Sequence, residues 1–222
     1  MLAINNENVL LSPKAIMFDT DNTLYSYAPA HKIAIKDVSL KAKDVLGVNE
    51  SEFLEAYESA RSEVKKILKN TASSHSRLLY FQKTIEKLVL STKVGLSLDF
   101  EKIYWRSFLS NSKIFPDVLN FLKLLNSTGV KVINVTDLTA QIQFQKMVYF
   151  GVDRYFDYVV TSEEAGIDKP SIKPFEMALK KLDMSASDVW IVGDNSESDI
   201  EGANILGIVS VQKIHEGVDY QG

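Results

Sequence analysis

Two carboxylates and a hydroxyl follow a short apolar run near the start of the chain. In the stretch MFDTDNTLY, Asp19, Asp21 and Thr23 lie at alternate positions directly after the run 15–18. A calcium-binding loop does not account for them, because such a loop needs glycine at its sixth position, where Leu24 stands. Local caps in a turn and an acidic functional site both fit this stretch, and the stretch alone leaves the two interpretations open.

Further polar residues follow the later apolar runs of the chain. They are Thr136 and Asp137, Lys169 before Pro170, and the pair Asp194 and Asp199 in the loop GDNSESD. Each one singly has an ordinary explanation, as a strand-end hydroxyl, a solvated charge or a helix cap. Because the carboxyl ends of parallel strands meet at one edge of a sheet, their order along the chain points to one common site.

These residue types match the needs of phosphoryl transfer. Aspartate can attack phosphorus as a nucleophile, and a second acid can give a proton to the leaving oxygen. Carboxylates crowded together repel one another unless a divalent cation lies between them, and oxygen ligands beside a phosphate favour Mg²⁺. Thr136 and Lys169 would hold the phosphoryl oxygens from the opposite side. The pattern therefore predicts a site for a metal ion and a phosphoryl group.

The elements that must position these residues alternate between strand and helix. Runs rich in valine and isoleucine predict strands over 15–18, 130–135, 158–161, 189–192 and 208–211. Helical patterns lie between most of them, with one helix expected from about Pro174. Such alternation is typical of a doubly wound parallel sheet, so we predict an α/β protein with a Rossmann-like core.

One long stretch breaks this alternation and contains only helical patterns. The predicted helices cover 33–45, 53–68, 78–89 and a shorter segment around 103–108. Asn49 and Glu52 form a predicted capping box for the second of these helices. We therefore predict an inserted helical domain at 26–112, with 1–25 and 113–222 forming the core. Because the insert follows the first strand, we expect it above the carboxyl ends of the strands.

The motifs together resemble those of the haloacid dehalogenase superfamily of hydrolases, and the helical insert is similar to the C1 cap of that family. The resemblance runs from about Lys14 to Val211. It implies that Asp19 is the nucleophile and that Asp21 is the general acid and base. The implied phosphate-binding and loop-supporting residues are Thr136, Lys169, Asp137 and Thr23. The implied Mg²⁺ ligands are Asp19, Asp21 (through its backbone carbonyl), Asp194 and Asp199, the last as a ligand or an outer acid.

The resemblance implies a Mg²⁺-dependent phosphatase that hydrolyses a small phosphorylated metabolite through an aspartyl-phosphate. The dehalogenase branch of the family lacks the second aspartate of the first motif, so the presence of Asp21 argues against dehalogenation. A phosphomutase shares the catalytic set and is the first alternative. A receiver-like phosphoacceptor domain is an alternative of another class, which the separated acid pair, the insert and the late acidic loop all oppose.

Composition limits the remaining possibilities. The chain has no cysteine, which excludes disulfides, cysteine-ligated zinc and thiol catalysis. A net charge of −4 gives no general attraction to nucleic acid or an anionic membrane. The N-terminus lacks a signal-peptide pattern, and no run reaches the ~20 apolar residues of a membrane span. We therefore expect a cytoplasmic monomer or homodimer that binds neither nucleic acid nor a membrane.

Substrate specificity is expected to lie in the helical insert. The insert's first candidates for contact with substrate are Arg61, His75, Arg77 and Arg106.

Overall fold

The computed structural model of the 222-residue chain describes residues 2–4 and 12–214. The chain forms two compact units. We call the first the core unit, which comprises the chain up to Ser26 and from Lys113 onward. The second, Tyr27–Ser112, is called the helical unit.

The described residues of the core unit contain six strands. They are β1 (Leu2–Ile4), β2 (Ala15–Phe18), β3 (Lys131–Thr136), β4 (Tyr158–Thr161), β5 (Val189–Gly193) and β6 (Val209–Lys213). Their order in the sheet is β1-β6-β5-β2-β3-β4. The five strands from β6 to β4 are parallel, which confirms the predicted doubly wound sheet, and β1 pairs antiparallel with β6. The strand β1 was not predicted.

Nine α-helices occur in the described ranges. They are α1 (Tyr27–Leu46), α2 (Glu50–Ile67), α3 (Arg77–Val89), α4 (Val94–Ser110), α5 (Pro116–Thr128), α6 (Ala140–Phe150), α7 (Ser162–Ala165), α8 (Ile172–Leu182) and α9 (Gly202–Ile205). A π-helical turn, Ser196–Glu201, precedes α9. The helix expected from about Pro174 begins at Ile172, because Ser171 caps it. None of the described helices is long and apolar enough to cross a membrane.

The strand β2 lies in the middle of the parallel sheet. Its residue Ala15 is in register with Lys131 of β3 on one side and Val189 of β5 on the other. All four residues of β2 are buried, as expected for a strand covered on both faces. The order of connection reverses at β2, and ligands of such sheets bind beyond the carboxyl ends of the strands at this reversal. The loop that starts at Asp19 therefore occupies the expected ligand-binding position.

The helical unit is built around aromatic side chains. Phe53 of α2 packs against Phe100 of α4, and Tyr57 of α2 packs against Phe81 of α3, at ring-centroid distances of 6.0 and 5.6 Å. Phe81 in turn packs against Phe100 and Tyr104 of α4, each at 5.9 Å. The structure confirms the capping box of α2: the amide of Glu52 donates to the Asn49 side chain at 3.0 Å and the amide of Asn49 to the Glu52 carboxylate at 2.9 Å.

The helix α4 is much longer than the predicted segment 103–108. Its first turns have the sequence VGLSLDF, in which Val94, Leu96 and Leu98 alternate with small or polar residues, a spacing that does not indicate one face of a helix. The buried residues Phe100, Tyr104 and Phe108 recur every four positions, so packing of this stripe sets the length of the helix.

Candidate active site

Asp19 follows the central strand β2 and is nearly buried, with 7% of its surface exposed. Its amide donates to the carbonyl oxygen of Val192 at 3.0 Å. Its carboxylate accepts from the ammonium of Lys169 at 2.8 Å and from the hydroxyl of Thr23 at 3.4 Å. These contacts hold the carboxylate at the carboxyl edge of the sheet.

Three carboxylates meet at this edge. Oxygen atoms of Asp19, Asp194 and Asp199 all lie within 4.8 Å of one another, a spacing that could hold a metal ion. Asp199 is buried in the π-helical turn, and its Oδ2 accepts from the backbone amide of Asn195 at 3.1 Å. The structure thus brings together three of the four predicted metal-binding aspartates.

The electrostatics of this group are unfavourable without a cation. Burial, followed by repulsion from Asp19 and Asp199, raises the pKa of Asp194 to about 8. Burial likewise raises the pKa of Asp19 to about 7, although Lys169 acts in the opposite direction. A divalent cation beside these oxygens favours their ionised forms. The donor set, which consists of carboxylate oxygens, suits a hard cation such as Mg²⁺.

Gly193, the last residue of β5, makes room for Asp199. A Cβ atom at Gly193 would lie 2.4 Å from Oδ2 and 2.5 Å from Cβ of Asp199. Both atoms are too close for a real contact, so any side chain at Gly193 must displace the buried carboxylate. Glycine at position 193 therefore allows the Asp199 carboxylate to lie beside Asp19 and Asp194.

Gly193→Ala is expected to destabilise the protein by about 1–3 kcal/mol, the usual cost of overpacking. It should also displace Asp199 and reduce the stabilisation that a divalent cation gives. Thermal unfolding with and without the cation measures both effects. Gly95→Ala is the matched control, because a Cβ at Gly95 meets nothing within 4 Å. An unfolding temperature and a cation effect equal to those of the parent would contradict the packing argument.

The ammonium of Lys169 bridges the acids. It donates to Asp19 at 2.8 Å, to Asp199 at 2.5 Å and to the carbonyl oxygen of Val135 at 3.0 Å. Burial alone would lower its pKa, but the carboxylates of Asp19 and Asp199 outweigh this effect and hold the pKa well above its usual value. An ammonium has three donors, and all three have acceptors here. A phosphoryl oxygen must therefore replace one of these acceptors to contact Lys169.

Thr136 and Asp137 lie at the end of β3, beside β2. The hydroxyl of Thr136 accepts from Gln143 Nε2 at 2.8 Å, and Asp137 Oδ1 accepts from the amide of Lys169 at 3.0 Å. Burial is the first cause of a raised pKa at Asp137. Asp137 thus fixes the backbone that carries Lys169. Gln143 was not predicted, since a glutamine in a helical pattern resembles a surface residue.

The carboxylate of Asp21 lies outside the group of three. It accepts from the ammonium of Lys146 at 2.7 Å and from the hydroxyl of Tyr25. The side chain of Lys146, in α6, is only 1% exposed. This separation from the metal-binding group is compatible with a role in proton transfer. No pattern in the sequence distinguishes Lys146, because one lysine within a helix is ordinarily solvated.

Asn134 joins β2 and β3 beneath the site. It is fully buried, and its side-chain Nδ2 donates to the carbonyl oxygen of Phe18 at 2.8 Å and to the hydroxyl of Thr20 at 2.9 Å. Asn134 was not predicted, although a polar residue inside the apolar run of β3 indicates a buried hydrogen bond.

Comparisons with known proteins identify the family of this chain. Residues 13–207 match the family model of haloacid dehalogenase-like hydrolases. The chain is 39% identical over 199 residues to the ribulose-1,5-bisphosphate 5-phosphatase of Halopiger xanaduensis, covering 89% of this chain and 83% of that protein. It is 31% identical over 201 residues to the glyceraldehyde 3-phosphate phosphatase of Methanopyrus kandleri, covering 90% and 83%. The chain therefore belongs to the haloacid dehalogenase-like hydrolase family, which confirms the family predicted from the motifs.

The fold is similar to that of a solved structure. The crystal structure of 2-haloacid dehalogenase from Pseudomonas syringae pv. Tomato superimposes with a TM-score of 0.76 at 21% identity, covering 95% of this chain and 90% of that one. At this identity the likeness shows a shared fold.

Proposed function

We propose that this hydrolase is a Mg²⁺-dependent phosphatase that acts on a small phosphorylated sugar or a similar metabolite. The observation that carries the proposal is the Asp19 carboxylate at the end of β2, in contact with Lys169 and within a group of three acids. The phosphatase names of the two relatives support hydrolysis of a phosphate ester over the phosphomutase alternative. Membership of a hydrolase family argues against a receiver-like signalling domain.

Asp19, Asp194 and Asp199 are the residues proposed to hold Mg²⁺, because their oxygens converge and burial makes their shared negative charge costly. When bound, the cation would compensate charge on the phosphoryl oxygens. The backbone carbonyl of Asp21, which the family resemblance adds to this set, stays a prediction.

The proposed reaction has two steps, both carried by aspartates. An oxygen of Asp19 attacks phosphorus, the ester bond to the leaving oxygen breaks, and Asp21 gives that oxygen its proton. In the second step water attacks the aspartyl-phosphate, Asp21 takes a proton from the water, and inorganic phosphate leaves. Asp19 is then restored as a carboxylate. Thr136 and Lys169 would hold the phosphoryl oxygens, with support from Thr23 and the amide of Asp137.

The helical unit is proposed to act as a cap that selects the substrate. A location in the cytoplasm and a monomeric or homodimeric state stay predictions from the sequence.

Removal of divalent cations is expected to abolish hydrolysis of small phosphate esters. Without a cation, repulsion among the three acids opposes binding of an anionic substrate. Treatment with a chelator, followed by its removal, should bring turnover to background, and added Mg²⁺ should restore it. Far-UV circular dichroism before and after treatment controls for unfolding. Full activity in a metal-free sample would remove the cation from the proposal.

A further inference from the structure

Arg77 is a buried cation in the helical unit. It is the first residue of α3, and only 8% of its surface is exposed. Nη1 donates to the carbonyl oxygen of His75 at 2.6 Å, and Nη2 donates to the hydroxyl of Tyr27 at 2.5 Å. The third position, Nε, is buried and has no acceptor among the described residues. The guanidinium is therefore bound by neutral groups and is incompletely satisfied.

No carboxylate of the described chain forms an ion pair with Arg77. Its surroundings are aromatic: the rings of Tyr27, Tyr80, Tyr104 and Trp105 lie 5.4–5.9 Å from its Cζ. Arg61, by contrast, pairs with Glu58 at 3.1 Å on a more exposed part of the same unit. Arg77 is thus a charge whose partner the helical unit does not supply.

Physical chemistry makes such an arrangement costly. A buried charge without an ionic partner loses its hydration, and contacts with aromatic faces recover only part of that loss. Arg77 also stands at the N-terminus of a 13-residue helix, where the helix dipole is positive and disfavours a cation. Both effects favour an anion at this position.

A second unsatisfied donor belongs to the same cluster. The hydroxyl of Tyr57 is buried without a partner among the described residues, and its ring packs against Tyr80, 6.1 Å away. Nearby, His31 contacts the hydroxyl of Tyr104 at 2.8 Å. Burial, followed by the charges of Arg77 and Arg61, lowers the pKa of His31 to about 4. The imidazole is therefore neutral near pH 7, and Arg77 carries the positive charge at the centre of the cluster.

We infer that the helical unit contains an oxyanion-binding site centred on Arg77 and assisted by Tyr57. The ligand is a phosphate or carboxylate group, since a guanidinium binds both through paired hydrogen bonds. Two sources share this chemistry: the non-reacting anionic group of a doubly anionic substrate, or a free oxyanion. The first source rests on the proposed phosphatase function, whereas the second does not.

Fluorescence tests the site without any turnover. The chain has two tryptophans, so Trp190→Phe leaves Trp105, next to Arg77, as the reporter. Titration of this variant with sulfate should give a saturable change in emission. Arg77→Lys, which keeps the charge but loses the planar fork, should weaken the apparent affinity roughly 10-fold or more. Tyr57→Phe should weaken it less, and Lys66→Met, which removes an exposed cation from the same unit, should leave it unchanged.

Kinetics then identify the source of the anion. Ribulose 1,5-bisphosphate and ribulose 5-phosphate differ by one phosphate and serve as probes. A KM that rises for the bisphosphate alone in Arg77→Lys, with kcat retained, assigns the site to the substrate. A fluorescence response that depends on Arg77, without selectivity between the esters, assigns it to a free oxyanion. No response to sulfate with Arg77 intact, or a response that Arg77→Lys and Tyr57→Phe leave unchanged, overturns the site even if hydrolysis is confirmed.

Discussion

Asp19→Asn is expected to abolish hydrolysis of every phosphate ester. The carboxamide is neutral and cannot form an acyl phosphate by attack on phosphorus, so the covalent route is lost. Removing the nucleophile of a covalent enzyme costs on the order of 10⁶-fold in turnover. The substitution keeps the size of the side chain, and Lys169 retains its contacts with Asp199 and Val135. We therefore expect a folded, inactive protein.

Acid quench of the enzyme with ³²P-labelled substrate provides the direct measurement. Labelled phosphate should be found on Asp19 in the parent protein, and Asp19→Asn should carry none. Asp44→Asn, at an exposed position in α1, is the matched control and should behave as the parent. Label on a different residue, or turnover that survives in Asp19→Asn, would show that Asp19 is not the nucleophile.

The sequence predicted the sheet well because its central strands are buried on both faces. Such strands appear as short unbroken apolar runs, and the segments 15–18 and 158–161 agree with β2 and β4 residue for residue. The strand β1 has three residues and pairs only at the sheet edge, so it leaves no comparable pattern. The start of α4 was missed for a related reason: its first turns depend on packing of later aromatic residues, and local composition does not reveal this.

Within the site, residues at strand ends could be predicted and the residues that hold them could not. Asp19 and Asp194 directly follow β2 and β5, so the parallel sheet alone brings them together. Lys146 and Gln143 reach the site from one face of α6, and only the packing of that helix shows that both are buried. The sequence also could not show that Lys169 contacts two acids at once, because that depends on the path of the π-helical turn.

Arg77 differs from the other polar candidates of the helical unit in its burial and in its surroundings. From the sequence it was one of four polar candidates in the helical insert, with no reason to prefer it. Burial and the missing ionic partner now distinguish it, since Arg106 is exposed and Arg61 pairs with Glu58. The features that single it out are properties of its neighbours, of which Tyr27, Tyr104 and Trp105 lie far from it in sequence.

The two aspartates of the first loop have different surroundings, which predicts different mutant phenotypes. Asp19 belongs to the group of three carboxylates, whereas Asp21 contacts Lys146 and the hydroxyl of Tyr25. Asparagine at position 21 keeps an oxygen that can accept from Lys146 but cannot carry a transferable proton. Asp21→Asn should therefore retain affinity for the divalent cation and lose the acid that protonates the leaving oxygen.

The size of that loss should depend on the leaving group. General acid catalysis is typically worth ~10²–10⁴-fold, so formation of the aspartyl-phosphate from a sugar phosphate should slow by about that factor in Asp21→Asn. An aryl phosphate such as 4-nitrophenyl phosphate should be affected far less, because its leaving group departs without a proton. The comparison requires pre-steady-state measurement of aspartyl-phosphate formation, since loss of Asp21 also slows hydrolysis of the intermediate and can mask the difference at steady state. Equal slowing for both esters, with cation affinity intact, would mean that Asp21 positions the loop and that another group supplies the proton.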